Sequence, residues 1–123
     1  MVYESGSFKY NAKHFPPTPG QGTRNMMSPS FVSEYATDLY GAAKVAAAGS
    51  PDAVLALVQD LDDSCGSGAW FLKTKCPNVL TQFATDPAGA WTAYLGSGCI
   101  GTTDTAARDQ VWTAAKAALG VSG

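Results

Sequence analysis

Glu4, followed by Ser5-Gly6-Ser7-Phe8, is the residue of this sequence best placed to handle a proton. A carboxylic acid near the end of an apolar segment, beside glycine and an aromatic ring, suits a general acid. Partial burial against aromatic side chains raises a carboxyl pKa, so the group can hold its proton near neutral pH. Such an acid would protonate a glycosidic oxygen as the C–O bond breaks. The simpler reading of the pattern alone is a solvated glutamate at a helix end. A second carboxylate would come from Asp62 or Asp63, in the polar break before Trp70. Inverting glycosidases hold the pair about 6.5–9.5 Å apart to admit a water, and retaining ones about 5–5.5 Å. The competing role for Asp62 and Asp63 is capping of the helix that starts near Ser64. Asp60 and Asp104 are weaker candidates, and Asp104 is explained by a helix dipole.

Gln21, Arg24 and Asn25 carry amide and guanidinium donors that suit sugar hydroxyls and N-acetyl groups. The same side chains could instead pin a proline-rich loop through hydrogen bonds to backbone. Tyr10 could stack on a sugar ring, and His14 could line a cleft or pack beside Phe15. No Cys-x-x-Cys occurs and His14 is remote in sequence from every cysteine, so neither a structural zinc site nor a cofactor is expected. Cys65, Cys76 and Cys99 make an odd count. Cys76 and Cys99 each fall just beyond a predicted helix and are the expected disulfide.

Positioning these groups falls to helices. The 123 residues suit one domain, read here as residues 1–123, and 46% hydrophobic against 15% charged residues excludes a disordered tail. A net charge of -2 lacks the basic footprint of a nucleic-acid binder. No apolar run approaches the ~18–20 residues of a membrane span, and no basic-then-apolar leader opens the chain. Residues 11–29, with Pro16, Pro17, Pro19, Gly20 and Gly22, read as a long loop. Phe31, Tyr35 and Leu39, continued by Ala42, Ala43 and Ala46, predict one helix that Gly49 stops, with Tyr40 in the core. Ser50-Pro51-Asp52 predicts a capped, buried helix through Val58. Further helices are expected over 68–75, with Trp70 and Phe71 in the core, over 78–83, and from Asp86-Pro87 through Trp91 and Tyr94. The last begins with Thr103 as its cap, carries the stripe Val111, Trp112, Ala115 and Leu119, and ends at Gly120. Trp70, Trp91 and Trp112 read as packing anchors. No alternating strand stands out, so the class is all-α, with about five or six helices.

Two segments carry a resemblance. Glu4-Ser5-Gly6, with Gly22-Thr23-Arg24-Asn25-Met26-Met27-Ser28-Pro29 following, is similar to the signature of lytic transglycosylases and goose-type lysozymes. The chain more closely resembles secreted fungal lysozyme-like muramidases, through Glu4 to Phe15, Pro19 to Met27, Gly66 to Leu72 and Cys99 to Thr103. That resemblance implies a lysozyme-like fold and an extracellular glycoside hydrolase. It would cut the linkage between N-acetylmuramic acid and N-acetylglucosamine in peptidoglycan, with Glu4 as proton donor. Attack giving an anhydro sugar is the transglycosylase variant. Only three residues precede Glu4, so relative to that group the domain is expected to be truncated at its N-terminus, working as a monomer or a loose dimer. Cys65 stands where the group has an aromatic residue and is the expected free thiol. The rival expectations are a non-catalytic glycan-binding relative, a chitin-directed enzyme of the same fold, and a helical interaction protein.

Overall fold

The computed structural model describes residues 1–14, 16–24 and 26–122, and of residue 14 the backbone alone. Among the described residues the chain forms seven helices and one small two-stranded sheet, so the all-α class holds. It divides into two compact units, Met1–Gly68 and a second beginning at Ala69.

In the first unit, strands β1 (Ala12–His14) and β2 (Pro17–Gly22) pair antiparallel, with Ala12 opposite Gly22. This corrects the expectation of a strandless loop. In a two-stranded ribbon both strands are edges, so Pro17 and Pro19 need not donate to a central ladder. Helix α1 (Pro29–Tyr40) begins with proline at its first position and buries Val32, Tyr35 and Ala36 along one face. It does not run on to Gly49 as expected. Gly41, at φ 88° and ψ 153°, leaves the helical region and returns its N–H to the Thr37 carbonyl at 2.9 Å. Helix α2 (Ala42–Ala48) then restarts the chain and buries no residue. The break turns Leu39 and Tyr40 outward, at 44% and 37% exposure, so Tyr40 is not a core residue.

Helix α3 (Pro51–Leu57) forms as its sequence dictates. The Ser50 hydroxyl accepts the Ala53 N–H at 3.2 Å, Pro51 opens the first turn, and Val54, Leu55 and Val58 are buried. Helices α1 and α3 pack on each other and on β2, with Met27 completing this core.

Helix α4 (Leu61–Lys75) starts seven residues ahead of the expected position, because Asp60 caps it: its carboxylate accepts the Asp63 N–H at 2.8 Å. The polar break is thus a helix start, with Asp62 and Asp63 in the first turn. Trp70 and Phe71 are half-buried and are not the core anchors expected.

The second unit holds α5 (Pro77–Phe83), α6 (Pro87–Leu95) and α7 (Ala106–Leu119). Helices α5 and α6 pack together around Val79, Ala90 and Leu95. Asp86 caps α6 through the Gly89 N–H at 3.0 Å. Cys76 and Cys99 form the expected disulfide, with Cα atoms 5.5 Å apart, and Cys65 is an exposed free thiol. Helix α7 departs from expectation at both its start and its stripe. It begins after Thr105, and Thr103 caps nothing. Val111 and Trp112 are half-buried while Ala115 and Leu119 are exposed, Leu119 at 76%. Gly120 ends the helix in the left-handed region, as its lack of a Cβ permits.

Candidate functional site

Glu4 sits in a tight succession of turns rather than at a helix end. Ser5 is fully buried, its hydroxyl accepting the Phe8 N–H at 2.8 Å, while the Ser7 N–H bonds the Val2 carbonyl at 2.8 Å. Ser7 and Phe8 adopt positive φ values of 60° and 66°, a conformation that non-glycine residues adopt only when their surroundings hold them there. The turn points the half-buried Glu4 carboxylate at the segment following β2, where Oε2 accepts the Met26 N–H at 3.1 Å. Gln21 grips the same residue from the other side, its Nε2 donating to the Met26 carbonyl at 3.0 Å. Glu4 and Gln21 therefore hold both polar groups of one residue, across 22 and 5 positions of sequence.

Arg24 makes a second knot. Its Nη1 donates to the Ser64 hydroxyl at 2.7 Å and the Gln59 carbonyl at 3.5 Å, and its Nη2 to the Asn11 side-chain oxygen at 3.4 Å. Asn11 in turn accepts from Thr23 N–H and Gln59 Nε2 on its carbonyl, and the Thr23 hydroxyl donates to the Tyr10 carbonyl. Arg24, Asn11, Thr23, Tyr35, Ser64 and Ser67 line a cavity of about 30 Å³ backed by apolar side chains. That volume admits a water or two and no organic ring. Arg24 Nε is buried with no acceptor among the described residues. A wider, open groove of about 480 Å³ runs among α1, α2 and α3, lined by Ser30, Ser33, Val45, Ala46 and Val54.

The other candidates fall elsewhere in the first unit. Asp62 is exposed. Asp63 accepts the Tyr35 hydroxyl on its carbonyl at 2.7 Å and the Tyr40 hydroxyl on its carboxylate. Burial, then the charges of Asp63 and Asp60, push the Tyr35 phenol up. The bond to Asp63, then desolvation and the same two charges, push Tyr40 up to about 12. Tyr10 is exposed with the Lys9 ammonium 5.4 Å from its ring. Asn25 and the His14 side chain lie outside the described residues.

Sequence reasoning missed the aromatic stack of the second unit. Trp91 lies parallel on Trp112, centroids 4.7 Å apart at 7°, with Tyr94 stacked on Trp91 at 5.7 Å. The Trp91 indole N–H donates to Asp109 Oδ1 at 2.6 Å. The readable signal was Asp109 three residues before Trp112, which places both on one side of a helix.

No family model matches the chain, and no solved structure matches it. Over 133 aligned positions, covering 98% of this chain, it is 37% identical to a protein of Fusarium oxysporum (strain Fo5176) named bifunctional dioxygenase (DOX)-epoxy alcohol synthase (EAS). The chain spans 10% of that protein's length. This chain is therefore similar to part of an enzyme, and one named for oxygen chemistry. The finding overturns the lysozyme-like muramidase identification and the glycoside hydrolase activity on peptidoglycan that came with it. The glycan-binding and chitin-directed alternatives fall with it. The residues that carried the resemblance are engaged in local structure: Glu4 and Gln21 hold Met26, and Arg24 ties Asn11 to Ser64 and Gln59. Such bonds specify a fold and imply no glycosidase chemistry.

Proposed function

We propose that this chain is a supporting helical segment of an oxidoreductase that carries out dioxygenation and epoxy alcohol formation. One observation supports the reading above all others: the 37% identity extends over 98% of the chain, not over an isolated motif. In such chemistry both atoms of O₂ enter an organic substrate as a hydroperoxide. A hydroperoxide beside a carbon–carbon double bond then rearranges to an epoxide and an alcohol, with no atom gained or lost.

Activating dioxygen calls for a redox metal or organic cofactor, whose chemistry the protein tunes and positions. Among the described residues no three His, Cys, Asp or Glu side chains gather as metal ligands, and two of the three cysteines are consumed in a disulfide. No step through such a metal is assigned to the described residues. The role proposed is accordingly support: two compact helical units, one with an open groove of about 480 Å³ bearing alkyl and hydroxyl side chains.

The test uses the longer Fusarium protein with and without the stretch that matches this chain. Oxygen uptake and epoxy alcohol yield are measured on an unsaturated acyl substrate, with circular dichroism as the check on folding. Epoxy alcohol yield is expected to fall several-fold in the folded deletion variant, and the isolated chain is expected to consume no oxygen. Unchanged uptake and unchanged product after deletion would overturn the reading.

A further inference from the structure

We infer that Trp91 is a one-electron redox site, with Asp109 as its proton acceptor and Trp112 as its stacking partner. Three features of the second unit converge on this one ring. Parallel stacking at 4.7 Å and 7° places the polarisable π system of Trp112 against the face of Trp91. The indole N–H already points at a carboxylate oxygen 2.6 Å away, so a negative charge stabilises an electron deficit on the ring. The charges around the other two tryptophans act the opposite way. The Lys116 ammonium lies 5.3 Å from the Trp112 centroid and the Lys75 ammonium 5.8 Å from that of Trp70. A cation over a ring is attracted to its electrons and opposes their removal. The deficit is thereby directed to Trp91.

The step balances as follows. An external one-electron oxidant, such as a ruthenium(III) polypyridyl complex, takes one electron from the Trp91 ring and is reduced by one. Loss of that electron makes the indole N–H strongly acidic, and its proton moves to Asp109 Oδ1. The products are a neutral tryptophanyl radical and a protonated Asp109. A one-electron reductant of the ascorbate class reverses it, the proton returning from Asp109 to the indole nitrogen. Trp91 is half-buried and Asp109 exposed, so oxidant and reductant both have access. The inference is independent of the proposed oxygen chemistry, because the oxidant is supplied from outside.

The experiment is flash photolysis of the intact chain with a photogenerated ruthenium(III) polypyridyl oxidant, following visible absorption, which separates the neutral tryptophanyl radical from its cation. The unaltered chain is expected to give the neutral radical directly. Trp91→Phe is expected to lose most of that signal. In Asp109→Asn the amide keeps an acceptor oxygen but is a far weaker base, so the radical cation should appear first and lose its proton slowly to water. Circular dichroism confirms that both variants stay folded. Equal neutral-radical yield in Trp91→Phe, or an unaltered time course in Asp109→Asn, would overturn the inference and leave the stack as packing.

Discussion

The Tyr40 hydroxyl donates to the Asp63 carboxylate, joining the last turn of α1 to the first turn of α4. One turn earlier on α1, the buried Tyr35 hydroxyl donates to the carbonyl of the same Asp63 at 2.7 Å. A single residue therefore anchors two successive turns of one helix.

Alkaline titration reads this arrangement directly. Tyr40 is raised from 10.0 to about 12, first by its bond to the Asp63 carboxylate, then by desolvation and the charges of Asp63 and Asp60. A phenol whose folded value lies above its unfolded one stabilises the fold fully below about pH 10 and loses that contribution as pH rises through about 12. Phenolate absorbance should show the latest-titrating tyrosine disappear in Tyr40→Phe. In Asp63→Asn its midpoint should move back toward 10. If all five tyrosines titrate together, the bond is absent in solution.

Legibility of the sequence followed the range of the interaction. Ser50 and Pro51 started α3, and Gly120 ended α7, where they were expected, because caps act on neighbours within one turn. Gly41 escaped notice since Tyr35, Leu39 and Ala43 keep perfect helical spacing across a backbone break. Asp60 was hidden among three acids, any of which could cap. The β-ribbon was illegible because its prolines argue against strands in general, though not against edges. Glu4, Gln21 and Arg24 each hold another part of the chain through a side-chain hydrogen bond. The partners of Glu4 and Arg24, a backbone amide at position 26 and a hydroxyl at 64, lie too far along the chain for spacing to reveal. The muramidase identification came from resemblance, and the comparison with the Fusarium protein overturned it.

Gly20 and Asp52 should prove sensitive together. The Gly20 N–H donates to Asp52 Oδ1 at 2.7 Å, fastening β2 to the first turn of α3. Gly20 has φ +77°, and an added Cβ would meet Pro51 Cβ at 2.7 Å. Gly20→Ala suffers both the unfavourable backbone angle and the clash, so a loss of about 2–4 kcal/mol is expected. Asp52→Ala should lose about 1–2 kcal/mol, from a charge-assisted bond that is only part-buried. Urea midpoints measure both. A Gly20→Ala protein as stable as the unaltered one would show that β2 does not lie against Pro51.

Reduction of the Cys76–Cys99 bond should destabilise the second unit. The bridge closes a loop of 23 residues, and a loop of that size restricts the unfolded chain by about 3 kcal/mol. The unit has few buried side chains to compensate: Val79, Ala90 and Leu95 besides Cys76 itself. Helical circular dichroism should therefore melt at lower temperature in the paired Cys76→Ala, Cys99→Ala variant. The loss should be confined to amides after residue 76 in hydrogen exchange. Equal melting with and without reductant would show that the packing of α5 on α6 suffices alone.

Arg24 tests whether the first unit is held by its polar knot or by its apolar core. Its guanidinium reaches Ser64, Gln59 and Asn11 from three separate segments, a fan of donors that only a planar fork provides. Arg24→Met keeps an alkyl stem at the cavity that Met27 and Val58 also line, while leaving those acceptors without their donor. A loss of about 1–3 kcal/mol is expected. Arg24→Lys restores the charge but, as a single point, cannot span all three acceptors, so it should recover less than half of that loss. If charge alone mattered, lysine would restore stability fully. If the apolar core alone mattered, both variants would unfold within about 0.5 kcal/mol of the unaltered chain. Urea unfolding with an unchanged slope separates the three outcomes, because a constant slope shows that the same surface is exposed in each case.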